Sequence, residues 1–157
     1  MGSLLGKRLK AEILSTDQLR AELWGDASIQ GPWPVLEPLL HQRICSAINQ
    51  GQSVVIDATH ARRRWRLALI NGLTLPIPVR WVGWWLQTPL ATCLDWNKTR
   101  KRQVPDPVIC QLAAALADPD ETPQLAEGFE ALFKLDPSTG SIQQQIDSCL
   151  SHLATSE

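Results

Sequence analysis

Short apolar runs of strand length alternate with helical stretches along this chain, and that alternation restricts the fold more than any other feature. S-V-V-I-D at 53–57 and V-R-W-V-G-W-W-L at 79–86 are the clearest runs. The first is β-branched with no polar alternation, as in parallel strands buried on both faces. E-I-L-S at 12–15 and A-L-F-K-L at 131–135 are weaker candidates. Helices are expected at 4–11, 17–23, 36–49, 62–71, 89–101 and 108–117. Two prolines in G-P-W-P predict a loop at 31–34. Gly25, Gly51 and Gly72 stand where helices should stop. Ile142, Ile146, Leu150 and Leu153 line one face of a last amphipathic helix. Strands separated by helices predict an α/β layered fold with a mostly parallel sheet.

The totals exclude several classes. With 157 residues and 44% hydrophobic content, the chain is long enough for one packed core. A net charge of −1 gives no global field toward nucleic acid or membrane, so any basic site must be local. The longest apolar run, near 81–86, is far short of a membrane span, and no stretch reads as a signal peptide. Cys45, Cys93, Cys110 and Cys149 are far apart and form no C-x-x-C pair. Neither a zinc site nor a disulfide framework is expected; reduced thiols in a cytoplasmic protein are.

Three segments carry chemistry. In S-T-D-Q-L-R, Asp17 follows the first expected strand, where ligands of open parallel sheets bind. Arg20 is three residues on and shares its helix face. A carboxylate held ionised by a guanidinium can orient a hydroxyl and take its proton. Asp is also a common N-cap, so the same residue suits a purely structural role. In V-V-I-D-A-T-H-A-R-R-R-W-R, Asp57 ends the second strand, with Thr59 and His60 in the loop after it. Asp57 or Thr59 equally suits the cap of the helix that begins near Arg62. In W-N-K-T-R-K-R-Q-V-P, Lys98, Arg100, Lys101 and Arg102 form a basic segment closed by Pro105. Such a segment suits a lid over a triphosphate, or an exposed basic helix end.

In this order, the segments I-L-S-T-D-Q-L-R-A-E-L-W-G-D, V-V-I-D-A-T-H-A-R-R-R-W-R, W-N-K-T-R-K-R-Q-V-P and A-E-G-F-E resemble the P-loop kinases of the polynucleotide 5′-kinase and zeta-toxin-like group. These are AAA-type ATP-binding proteins, and the resemblance spans roughly residues 10–135. It implies a P-loop NTPase-like three-layer fold with sheet order 2-3-1-4-5. It implies ATP with Mg2+ as cofactors, a nucleotide as partner, and phosphoryl transfer to a hydroxyl: a polynucleotide 5′-end or a small molecule. By resemblance, Asp17 is the general base and Arg20 holds the acceptor phosphate. Asp57, Thr59 and His60 line the acceptor site with Arg63 or Arg66, His60 standing where the family has Asn. Arg100 and Arg102 clasp the donor phosphates, with Asn97 just before them. No protein metal ligand is implied.

One family element is not found in these residues. The family's first strand and its G-x-x-x-x-G-K-[ST] loop precede the helix leading into I-L-S-T-D. Gly6-Lys7-Arg8 resembles that motif only by accident, because it falls inside the expected first helix. A truncated kinase-like domain is therefore expected at 1–140, its central strand missing, followed by an amphipathic helix at 141–157. Without the loop, activity of this form is not expected. The alternatives are a non-catalytic relative that binds single-stranded nucleic acid or protein, and an interaction module docking through its last helix. An incomplete sheet also leaves strand edges for a protein partner or for self-association.

Overall fold

The computed structural model describes residues 1–155. The order of elements is α1 (Gly2–Leu9), β1 (Glu12–Ser15), α2 (Thr16–Trp24), α3 (Trp33–Asn49), β2 (Val54–Asp57), α4 (Arg63–Gly72), β3 (Val82–Leu86), α5 (Leu90–Thr99), α6 (Asp106–Ala117), a 3-10 turn (Leu125–Glu127), β4 (Ala131–Leu135) and α7 (Ile142–Thr155). The α/β class and the parallel pairing are as the alternation predicts. Among the described residues the strands form two parallel pairs, β1 with β2 and β3 with β4.

The chain divides into two compact units. Unit 1 holds Met1–Thr59 and Leu73–Val79; unit 2 holds His60–Gly72 and residues from Arg80 onward. The expected boundary at residue 140 falls inside unit 2.

Unit 1 is built on α3. Leu36, Leu40, Ile44 and Ala47 recur at helical spacing and are at most 2% exposed. They form a core with Leu5, Leu14, Leu19 and Val55. Each large side chain so buried contributes about 2 kcal/mol. The loop expected at 31–34 is corrected here, because α3 already begins at Trp33 with Pro34 in its first turn. Proline is compatible with a first turn, whose N–H groups have no helical partner. Pro38 also lies inside α3, where it removes one backbone bond. α2 stops at Gly25, whose φ of 77° lets its N–H reach the Ala21 carbonyl.

Unit 2 pairs β3 with β4 in register, Trp84 opposite Phe133 and Trp85 opposite Lys134. The Trp84 and Phe133 rings meet at 5.0 Å, and the Lys134 ammonium lies 5.3 Å from the Trp85 ring centre. α7 packs on β4. On its apolar face Ile146 is fully buried, while Ile142, Leu150 and Leu153 are half-buried; Leu135 at the end of β4 is 2% exposed.

Candidate active site

In unit 1 the register places Ser15 opposite Asp57, so both strands end level. α2 starts directly after β1, and Asp17 falls in its first turn. The N-cap is Ser15, not Asp17, and it makes no side-chain cap bond. Asp17 instead accepts a hydrogen bond at 3.0 Å from Arg20 Nη1. Arg20 Nε also points to the Gln30 carbonyl at 3.4 Å. The Arg20 side chain is sunk, 15% exposed, while the Asp17 side chain is 51% exposed. The pair thus presents its acid outward on an anchored cation, which suits a base that must meet a substrate.

Asp57 closes the same edge. Its carboxylate lies against the start of α1: a Cβ added to Gly2 would come within 2.6 Å of Asp57 Oδ2. Only glycine allows the backbone so near. A helix N-terminus is a favourable neighbour for a carboxylate. Thr59 is exposed beyond it.

In unit 2 the arginine run resolves into separate tasks. Arg66 is buried and locked. Its Nε and Nη2 donate to both Glu127 oxygens at 2.6 and 2.8 Å, and Nη1 and Nη2 also reach the His60 and Glu121 carbonyls. The pairing removes Arg66 from the residues free to meet a substrate. Glu127 was visible in the sequence only as part of A-E-G-F. Arg63 N–H donates to Glu121 Oε2 at 2.6 Å. The start of α4 is therefore capped by a residue of the acidic loop, not by Asp57 or Thr59. Arg63 Nε is buried without a hydrogen-bond partner among the described residues. His60 is held below the ordinary imidazole value of 6.5, first by burial and then by the Arg66 charge. It is a neutral donor and acceptor at pH 7.

The basic segment is a closed loop. Asn97 is 4% exposed. Its Nδ2 donates to the Val104 carbonyl at 2.7 Å, and its Oδ1 accepts from the Val104 N–H at 2.9 Å. The amide expected at the donor phosphates is thus occupied by the loop's own backbone. Arg100, Lys101 and Arg102 are exposed between the two ends of this staple. Asp95 accepts a hydrogen bond from Lys98 and raises its pKa. Among the described residues no three His, Cys, Asp or Glu side chains gather as a metal site, and no helix is long and apolar enough to cross a membrane.

The sequence profile described as AAA domain matches residues 3–119. None of the curated proteins matches the chain significantly. The tunicamycin resistance protein of Deinococcus radiodurans has a similar fold, with a TM-score of 0.55 over 92% of this chain and 82% of that one. Sequence identity to it is 14%, so the likeness is one of fold.

Proposed function

Because the chain belongs to the AAA domain family, a kinase-like P-loop class that generally binds ATP with Mg2+, we propose that it serves ATP-dependent phosphoryl transfer to a hydroxyl acceptor. The acceptor is a polynucleotide 5′-hydroxyl or a small hydroxyl compound. The observation that carries this reading is the Asp17–Arg20 pair at the carboxyl edge of β1, level with Asp57. Asp17 takes the acceptor's proton, and Arg20 orients the carboxylate and attracts the acceptor's phosphate. Asp57, Thr59, His60 and Arg63 supply polar contacts to the acceptor. Arg100 and Arg102 neutralise charge on the triphosphate. Asn97 serves this site at one remove, by fixing the span of the loop that presents them. ATP with Mg2+ supplies the phosphoryl group.

Residues 1–157 contain no G-x-x-x-x-G-K-[ST]. Backbone N–H groups of that loop are the main phosphate cradle in such enzymes. Transfer by this reading therefore requires a cradle from outside these residues. The same observation favours a second reading, a non-catalytic relative that binds nucleic acid or protein.

The test is a fusion that places a strand and G-x-x-x-x-G-K-[ST] loop ahead of residue 1. Transfer of the ATP γ-phosphate to a 5′-hydroxyl oligonucleotide and to a panel of small alcohols is then measured. Transfer lost in Asp17→Asn, with ATP binding retained, is the expected result. Normal transfer by that variant would remove Asp17 as the base. ATP binding without any transfer would favour the second reading.

A further inference from the structure

A second site lies wholly within unit 2 and uses none of the residues proposed for transfer. Arg62, Arg64, Trp65, Gln111, Leu112 and Glu121 line an open cleft of about 360 Å³. That is within the range of small-molecule sites, roughly 300–1,000 Å³. Trp65 is 38% exposed. The Arg64 guanidinium stands 5.9 Å from its ring centre, close enough for a cation–π contact that steadies the ring. Arg64 has no carboxylate partner among the described residues, and the Gln111 side chain has no hydrogen bond among them.

The charge in the cleft is unbalanced. Glu121 is its one acid, and it already accepts from the Arg63 N–H and faces Arg62 Nη1 at 3.6 Å. Two guanidiniums against one engaged carboxylate leave a positive wall beside an indole. An exposed indole is a platform for a planar ring. An arginine pair attracts phosphate. A free amide reads donor and acceptor edges together.

We propose that this cleft binds a nucleotide unit, its base stacked on Trp65, its phosphate between Arg62 and Arg64, and its base edge against Gln111. Such a unit comes either as a free nucleoside monophosphate or as the end of a single strand. The proposal does not depend on phosphoryl transfer, since stacking and charge suffice to hold the ligand.

The experiment is fluorescence anisotropy of a dye-labelled, 5′-phosphorylated hexathymidylate with the full chain, without ATP, at several salt concentrations. Thymidine monophosphate and inorganic phosphate are the competitors. Saturable binding is expected, weakened about tenfold in Trp65→Ala and largely kept in Trp65→Phe. Arg64→Ala should reduce the salt slope by about one. Both residues are exposed, and circular dichroism checks that the variants remain folded. Competition by the monophosphate identifies a free nucleotide as the ligand, and its failure to compete identifies a strand end. No binding, unchanged binding in Trp65→Ala, or equal competition by inorganic phosphate overturns the proposal. Binding is read without ATP, so its failure leaves the transfer reading standing, and a failed transfer assay leaves the cleft standing.

Discussion

Two carboxylate–guanidinium pairs in this molecule have the same chemistry and opposite surroundings. In Arg66–Glu127 the side chains are 5% and 0% exposed, and the donors of Arg66 point inward to fixed acceptors. In Arg20–Asp17 the cation is sunk and the acid half in solvent. The first pair ties α4 to a sequence-distant stretch of unit 2, the acidic loop and the turn before β4. The second holds one acid still while leaving it reachable. Burial, more than the ion pair itself, separates a brace from a candidate reagent.

The largest expected effect breaks the brace. Glu127→Ala leaves a buried cation without its counter-charge and should destabilise unit 2 by about 3–5 kcal/mol in urea denaturation. The double variant Arg66→Met/Glu127→Leu should recover most of that loss. A cost under about 1 kcal/mol for the single variant would make the pair incidental. Next comes Asn97→Ala, which strips the Val104 N–H and carbonyl of their partners and should cost about 1–3 kcal/mol. Proteolysis between Lys98 and Val104 should quicken in that variant. Asp17→Asn sharpens the contrast from the other side. Its acid is half in solvent, so stability should change by less than about 1 kcal/mol. In the loop-restored fusion, transfer should fall by about 100-fold or more. A large stability loss there would make Asp17 a brace as well.

The smallest effect is a pH dependence. His60 has a folded pKa below 6.5. Below that pH the unfolded chain binds a proton that the folded chain resists. Stability of unit 2 should therefore rise with pH across the window from the folded value up to 6.5, and level off above it. His60→Gln should flatten that rise in thermal melts taken from pH 5 to 7.5.

What the sequence made legible was local. β4 lies where A-L-F-K-L predicts it, and α2 ends at Gly25, because apolar runs and glycine stops act within a few residues. The start of α3 departs from the expected loop, since two prolines look alike in a loop and in a first helical turn. The Arg20–Asp17 pair was legible from its spacing of three. Arg66–Glu127 was not, because its members are 61 residues apart and no local pattern joins them. The cap of α4 escaped for the same reason: Glu121 is 58 residues from Arg63. Asn97 enters the expected site by resemblance, at a position the family also uses. Its bond to Val104 seven residues on is a loop closure that charge patterns do not reveal.

The two-stranded pairing has a consequence for the chain's amide protons. Along Glu12–Ser15 and Val54–Asp57, every second N–H enters the ladder and its neighbour points away from it. Deuterium uptake along these strands should therefore run like the teeth of a comb, slow and fast by turns. A segment that came to lie against either strand would slow the fast teeth and leave the others as they are, so the isotope pattern alone would show which edge had been taken.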